Sequence, residues 1–227
     1  ALLAEGCHVS GSDRYFDLAA LPGGSAGKDL ATIRKLQHAG VRFVPQDGSG
    51  ISSSTRAIVV STAIENDNLD IRAAADNGVP VMHRADMLAA LMEGHRSVAV
   101  TGTSGKSTVT GMIGWILEQL GADPNVVNGA PVLNWATGER IGNARCGRSD
   151  LWVVEADESD RTLLKFHPEW AVITNATKDH FGLDETLDIF RRFSGQVRQG
   201  IVNGLDDPPW LRDFAPRVQA DGSRFVY

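Results

Sequence analysis

A lysine and two hydroxyl side chains follow a glycine-rich turn near the middle of the chain. The turn runs from Gly102 to Gly105, and Lys106, Ser107 and Thr108 come directly after it. Glycines allow backbone N–H groups to point at phosphate oxygens, and a lysine supplies a mobile positive charge for the outer phosphates. A serine hydroxyl at this position suits Mg²⁺. These residue types and their spacing therefore predict a site for a nucleoside triphosphate.

The turn departs from a strict phosphate-binding loop at one position. Such a loop carries a glycine five positions before its second glycine, and Val100 occupies that position here. By itself the turn could therefore be only a tight connection. The flanking sequence favours phosphate binding, because it predicts a strand at 97–100 and a helix at 107–120. The N-terminal end of such a helix attracts anions.

Carboxylates are concentrated after the apolar segment 151–154. Glu155, Asp157, Glu158 and Asp160 lie within six residues of one another. The carboxyl ends of strands are the usual ligand edge of an open α/β sheet. Carboxylates this close repel one another unless a cation or hydrogen-bond donors offset the charge, and Mg²⁺ bridging to phosphates would do so. The alternative interpretation is a solvated acidic loop.

A third polar segment follows the apolar stretch 170–173. Thr174 and Asn175 come first, and Asp179 and His180 follow. A lone histidine near a strand end is usually a polar surface residue, so this pair carries little weight alone. The three elements nevertheless lie in one order along the chain: a loop with a lysine, an acid after a strand, and Asp-His after a strand.

These elements together resemble those of the Mur ligase family, the ATP-dependent amide ligases of peptidoglycan precursor synthesis and their relatives. Residues 101–108 are similar to the family's T-G-T-x-G-K-[ST]-[ST] loop, in which the first glycine is displaced. Residues 155–160 resemble the E-A-D-E-S-D segment of the branch that acts first on UDP-N-acetylmuramate, and residues 174–180 resemble the family's T-N-x-x-x-D-H. Segments 61–68 and 143–145 also match that branch.

The resemblance implies a role for each matching residue. The expected catalytic residues are Lys106, His180 and Glu155, and the expected ligands of Mg²⁺ are Ser107, Glu155 and His180. The residues expected to bind ATP are Gly102, Thr103, Ser104, Gly105, Lys106, Ser107 and Thr108. Those expected to contact the UDP part of the substrate are Asp13, Ser61, Asn143 and Arg145.

The activity implied is that of an ADP-forming amide ligase with ATP and Mg²⁺ as cofactors. ATP would convert the carboxylate of a UDP-N-acetylmuramate-type substrate into an acyl phosphate, and the amine of an amino acid or short peptide would then displace phosphate. A tripeptide-recycling or other divergent Mur-like ligase shares these motifs. Two readings of another class stay open: a P-loop ATPase or kinase, and a non-catalytic nucleotide-binding module. The first of these leaves the matches at 61–68 and 174–180 as coincidence.

Composition is that of an ordinary globular protein. The 227 residues include 42% hydrophobic and 22% charged residues, with a net charge of −6. The acidic balance argues against a nucleic-acid surface, and no apolar run approaches the roughly 20 residues of a membrane helix. Two cysteines, Cys7 and Cys146, are too few for a disulfide framework. We therefore expect a cytoplasmic protein without nucleic-acid or membrane partners.

Alternating strand and helix patterns predict an α/β protein with parallel sheets and two domains. Residues 1–94 are expected to form a Rossmann-like, UDP-substrate-binding domain that is truncated at its start, and residues 95–227 a P-loop central domain that binds ATP. Helices are predicted at 1–5, 28–38, 69–77, 86–93, 107–120 and 183–199. Strands are predicted at 7–10, 41–44, 56–61, 79–82, 97–100, 151–154 and 170–173.

Two further expectations follow from these patterns. The largely apolar strand 56–61 is expected to be buried on both faces. The resemblance also implies that the family's third domain, which binds the incoming amino acid, is missing, so that the fragment alone would not complete ligation.

Overall fold

The computed structural model describes residues 2–13, 28–178 and 181–205. The chain divides into two compact units. The first unit comprises Ala1–Met87 together with Pro131–Gly142, and the second unit comprises Leu88–Ala130 together with Asn143–Tyr227. The chain therefore leaves the second unit at Pro131 and returns to it after Gly142.

The described strands of the first unit pair in parallel, in two separate two-stranded sheets. The strands are β1 (Ser10–Gly11), β2 (Arg42–Phe43), β3 (Ile58–Val60) and β4 (Val81–His83). The helices are α1 (Lys28–His38) and α2 (Leu69–Asp76), and α3 (Arg84–Met92) continues from this unit into the second. Strands that alternate with helices and pair in parallel confirm the expected α/β class.

The start of α2 is a junction within the first unit. Asn68 caps the helix, because its Oδ1 accepts the N–H of Asp70 at 2.9 Å. The Asp70 carboxylate is almost fully buried and accepts the N–H of Gly48 at 2.8 Å and the hydroxyl of Ser12. These bonds tie α2 to the segment after β2 and to the segment after β1, where Asp13 lies.

The second unit is built on a six-stranded sheet in the order β10-β9-β5-β8-β6-β7. Neighbouring strands are parallel except β6 and β7, which are antiparallel. The strands are β5 (Arg96–Thr101), β6 (Asn125–Val127), β7 (Ala144–Arg145), β8 (Leu151–Glu155), β9 (Trp170–Ile173) and β10 (Gly200–Asn203). The helices are α4 (Lys106–Gln119), a 3₁₀ helix (Thr162–Lys165) and α5 (Leu183–Ser194).

Central strands of this sheet form the core of the second unit. Val100, Val153 and Ile173 are fully buried, as expected for parallel strands covered on both faces. Helix α5 buries Phe190 and Phe193 on one face, while its charged residues lie on the other. Because β9, β5, β8 and β6 are parallel neighbours, the segments that follow them share one edge of the sheet.

Most of the predicted elements of the described chain are present, two of them (28–38 and 170–173) with the predicted bounds. The helix predicted at 183–199 is wrong at its end, because α5 stops at Ser194. The N–H groups of Arg198 and Gln199 donate to the carbonyls of Pro168 and Glu169 at 3.0 and 2.7 Å. These bonds start the pairing of β10 with β9, which a helix at these positions would prevent.

Three predictions for the first unit are also wrong. Val59, at the centre of the strand predicted to be buried on both faces, is 43% exposed. Pairing with β4 covers an edge of β3 but not its faces, and the face that carries Val59 is open to solvent. Residues 2–6 form turns in place of the predicted helix, and the strand predicted at 7–10 is reduced to β1.

No helix in the described ranges has both the length and the apolar character required to cross a bilayer.

Candidate nucleotide-binding site

The turn between β5 and α4 has the backbone shape that its glycines predict. Gly102 and Gly105 have φ values of 130° and 83°, a region that side chains disfavour. A Cβ at Gly102 would lie 2.1 Å from Oγ1 of Thr174, so only glycine fits there. Gly105 is the N-cap of α4 and has no side chain to cap the helix. The first N–H groups of α4 therefore have no acceptor within the helix and can bind an anion.

Lys106 lies folded over this turn. Its Nζ donates to the carbonyl of Gly102 at 2.9 Å and lies 2.8 Å from Oε2 of Glu158 and 3.8 Å from Oδ1 of Asp157. The side chain of Glu158 is only 3% exposed, and a buried carboxylate needs a close cation. Glu158 thus holds the ammonium group beside the turn.

Glu155 ends β8 on the other side of the helix start. Its Oε2 accepts the N–H of Gly129 at 2.7 Å. A Cβ at Gly129 would lie 2.7 to 2.9 Å from the atoms of the Glu155 carboxyl group, so this approach requires a glycine. The short backbone contact fixes where the carboxylate can point.

An open cleft of about 380 Å³ joins these elements. It is lined by Gly105, Lys106, Ser107, Thr108, Glu155 and Asp157. The described residues contain no group of three or more His, Cys, Asp or Glu that could hold a metal ion. A hydroxyl and a carboxylate nevertheless fit Mg²⁺, which takes one or two protein oxygens and fills its other positions with water and substrate phosphates.

Asn128, which sequence reasoning missed, ties β6 to the helix start. Its Nδ2 donates to the carbonyl of Ser107 at 3.1 Å, and its Oδ1 accepts the N–H of Gly129 at 3.0 Å. Its own N–H donates to the carbonyl of Asn143 at 2.8 Å, and the residue is 5% exposed. The Asn-Gly pair after two valines was the available signal, but β6 itself was not predicted.

Thr174 and Asn175 contact the glycine-rich turn from the end of β9. The Thr174 hydroxyl donates to the carbonyl of Ser104 at 2.6 Å, and Nδ2 of Asn175 donates to the same carbonyl at 2.9 Å. In return, Oδ1 of Asn175 accepts the N–H of Ser104 at 3.0 Å, and the carbonyl of Asn175 accepts the N–H of Thr103 at 3.1 Å. Thr174 and Asn175 were recognised in the sequence as part of a motif, but no role was predicted for them.

Other predicted site residues lie elsewhere. Asp13 follows β1 and Ser61 follows β3, both in the first unit. His180, with Asp179, lies outside the described residues. Asn143 lies next to β7, where its carbonyl accepts the N–H of Asn128. For all of these the expected role stays a prediction.

The Arg145 guanidinium is engaged at the far end of α4. It donates to Oε1 of Glu118 at 2.9 Å, to Oδ1 of Asp123 at 2.6 Å and to the carbonyl of Pro124 at 2.6 Å. Since an α-helix rises about 1.5 Å per residue, Glu118 lies roughly 18 Å along the helix axis from the glycine-rich turn. A contact of Arg145 with the UDP part of a substrate stays a prediction, and these three contacts give it a structural role.

Hydrogen bonds from Arg145 and Arg148 lower the pKa of Asp123 to about 2. The carboxylate is therefore charged across the neutral range and binds both guanidinium groups. The backbone carbonyl of Asp123 also accepts the hydroxyl of Ser149 at 2.9 Å. Asp123 therefore joins the end of α4 to the connection between β7 and β8.

A parallel sheet with a glycine turn, a lysine and a helix N-terminus at its central strand defines the second unit as a P-loop α/β domain. The family model described as "Mur ligase family, catalytic domain" matches residues 1–96, and the one described as "Mur ligase middle domain" matches residues 100–208. The chain belongs to the Mur ligase family, which confirms the resemblance seen in its motifs.

Curated relatives agree with this assignment. The chain is 41% identical over 197 residues to UDP-N-acetylmuramate–L-alanine ligase of Cyanothece sp., covering 84% of this chain and 39% of the relative. It is 39% identical over 209 residues to the enzyme of the same name from Paenarthrobacter aurescens, covering 89% and 44%. The chain thus spans about two-fifths of the length of these relatives.

Solved structures show the same fold. UDP-N-acetylmuramate–alanine ligase from Thermotoga maritima has a TM-score of 0.72 at 24% identity, with 94% of this chain and 47% of that chain covered. UDP-N-acetylmuramate:L-alanyl-γ-D-glutamyl-meso-diaminopimelate ligase from Neisseria meningitides has a TM-score of 0.73 at 22% identity, with 94% and 68% covered.

Proposed function

We propose that this chain carries the UDP-substrate-binding and ATP-binding parts of an ADP-forming amide ligase of peptidoglycan precursor synthesis. The acceptor is the carboxylate of UDP-N-acetylmuramate, and the donor is an amino acid or a short peptide. Residues 1–94 bind the UDP substrate and residues 95–227 bind ATP. One observation carries the proposal: Lys106, Ser107 and Glu155 line one cleft at the phosphate end of α4.

The hydrogen bonds of the turn support a narrower set of phosphate-binding backbone groups. The N–H groups of Thr103 and Ser104 already donate to Asn175. The N–H groups in the first turn of α4 lack helical acceptors, so we assign the phosphates to Lys106, Ser107 and Thr108. Gly102 and Gly105 shape the turn that places these donors.

Lys106 and the metal ligands offset the charge of the reacting groups. Ser107 and Glu155 would hold Mg²⁺, which supplies charge stabilisation for the phosphates. Lys106 moves from Glu158 toward the β- and γ-phosphates. In the proposed reaction the substrate carboxylate attacks the γ-phosphorus and ADP leaves. The amine then attacks the acyl carbon, phosphate leaves and the amide forms.

The first test is nucleotide binding by this chain. Calorimetry is expected to show ATP binding that needs Mg²⁺, and Lys106→Ala is expected to weaken it by about a hundredfold, since a charge-assisted contact is lost. Lys165→Ala is the matched control, because Lys165 lies in the 3₁₀ helix and does not line the cleft. Unchanged affinity in Lys106→Ala would contradict the role given to the lysine.

A second test separates the ligase from the other nucleotide-binding functions. With the full gene product, ADP release is expected to require both UDP-N-acetylmuramate and an amine donor. L-Alanine and the L-alanyl-γ-D-glutamyl-meso-diaminopimelate tripeptide are compared as donors. ADP release without any acceptor would favour a P-loop ATPase and contradict the proposal.

A further inference from the structure

Ser104 is held by its backbone although its side chain is exposed. Its N–H and its carbonyl both bond to the side-chain amide of Asn175, at 3.0 and 2.9 Å. The Thr174 hydroxyl adds a second donor to the same carbonyl at 2.6 Å. The Asn175 amide accepts the N–H of Ser104 and donates to its carbonyl, which is the hydrogen-bonding pattern of a paired residue in an antiparallel β-sheet. The end of β9 therefore fixes the path of the phosphate turn.

Two further contacts extend this hold along the turn. The Thr103 N–H donates to the carbonyl of Asn175 at 3.1 Å, and the Thr103 hydroxyl accepts the N–H of Thr177 at 3.0 Å. Gly102 lies close against the end of β9, because a Cβ there would lie 2.1 Å from Oγ1 of Thr174. Thr174, Asn175 and Thr177 thus all contact the turn at 102–104.

We propose that Thr174 and Asn175 are positioning residues that hold the phosphate turn in its triphosphate-binding shape before nucleotide arrives. The proposal rests on the proposed function of the cleft. Neither side chain lines the cleft itself, so both act through Ser104. A turn that is ordered in advance loses less conformational entropy when the phosphates bind. Without the side-chain amide of Asn175, this loss would again accompany binding.

The main test compares Asn175→Ala with Asn203→Ala. Asn203 ends the neighbouring strand β10, and its Oδ1 accepts the N–H of Leu205 at 2.9 Å. Asn203→Ala is therefore a matched control, because it also removes an asparagine side chain at the end of a strand. Asn175→Ala is expected to weaken MgATP binding by about tenfold or more, since the N–H and the carbonyl of Ser104 both lose their bonds to the side-chain amide. Asn203→Ala is expected to bind MgATP within twofold of the unaltered chain.

Hydrogen exchange supplies a readout that a purely structural role would not move. Without nucleotide, Asn175→Ala is expected to speed amide exchange in 102–108, while exchange in 151–155 stays unchanged. Equal acceleration in both segments would mean general destabilisation and would overturn the proposal.

A conservative pair at Thr174 completes the test. Thr174→Ser keeps the hydroxyl that reaches Ser104 and is expected to bind MgATP like the unaltered chain. Thr174→Val keeps the shape, loses the hydroxyl and is expected to bind several-fold more weakly. MgATP binding by the unaltered chain, with equal affinity in Asn175→Ala, would overturn this inference alone. No MgATP binding by the unaltered chain would overturn the proposed function together with it.

Discussion

At the scale of single residues, Gly129 decides where the Glu155 carboxylate lies. Its N–H is the donor that meets Oε2 at 2.7 Å, and its missing side chain is what permits the contact. Glu155 and Ser107 line the same cleft. The position of the Glu155 carboxylate therefore determines whether it and the Ser107 hydroxyl can bind the same Mg²⁺ ion. Gly129 therefore supports the proposed metal site through its contact with Glu155.

Gly129→Ala is expected to impair the use of the metal. A Cβ 2.7 Å from Oε2 must push the carboxylate away, so we expect the Mg²⁺ dependence of ATP binding to shift to about tenfold higher Mg²⁺. Calorimetric titration of ATP at several Mg²⁺ concentrations measures the shift. Gly138→Ala is the control, because a Cβ at Gly138 meets no atom within 4 Å. An unchanged Mg²⁺ profile in Gly129→Ala would show that Glu155 does not need this position.

At the scale of elements, the sequence predicted best what depends on local pattern. Helix α1 and strand β9 have the predicted bounds, because apolar spacing specifies both and glycines flank α1. Strands β6, β7 and β10 were missed. Each is short, and β7 consists of two residues, so it is defined by pairing with a neighbour and not by its own periodicity.

The same difference applies to the candidate site. The glycine turn, Lys106 and Glu155 were found from the sequence because each belongs to a local motif. The roles of Asn128 and Glu158 were not, although Glu158 was noted in the acidic cluster, since these roles depend on contacts with Ser107 and Lys106. Such contacts appear only when the strand order is known.

The junction between α4 and β7 gives a prediction about pH. Hydrogen bonds from Arg145 and Arg148 lower the pKa of Asp123 from 3.8 to about 2. A carboxyl group whose pKa is lower in the folded state stabilises the fold above its unfolded pKa. That contribution is complete above about pH 5 and is lost as the pH falls through 3.8 toward 2.

Asp123→Asn removes this titration. We expect the variant to be less stable than the unaltered chain at neutral pH, with a difference that narrows as the pH falls from 5 toward 2. Urea unfolding at a series of pH values measures the free energy of unfolding. Asp150→Asn is the control, because the carboxyl group of Asp150 shows no hydrogen bond or ion pair in the described residues. A difference that stays constant with pH would contradict the lowered pKa.

At the scale of the whole molecule, the order of the chain and the compact units do not coincide. Pro131–Gly142 lies between β6 and β7 in sequence, yet it belongs to the first unit. Within that unit Lys35 donates to the carbonyls of Thr137 and Arg140 at 2.9 and 3.2 Å. The domain boundary expected at 94/95 stays a prediction.

Nucleotide binding offers a way to detect the two units separately. A ligand present at a hundred times its Kd stabilises the structure that binds it by about 2.7 kcal/mol, which slows exchange through unfolding of that structure by about a hundredfold. The cleft is built from the second unit alone. Saturating MgATP is therefore expected to slow amide exchange in 97–119 and 151–158.

Peptides from 131–142 provide the decisive comparison. Their neighbours in sequence, β6 and β7, belong to the nucleotide-binding unit, whereas their contacts place them in the first unit. We expect MgATP to leave exchange in 131–142 and in 28–38 unchanged, while β8 is protected. Protection of 131–142 equal to that of β8 would show that this segment unfolds with the nucleotide-binding unit, and the assignment of the two units would be wrong.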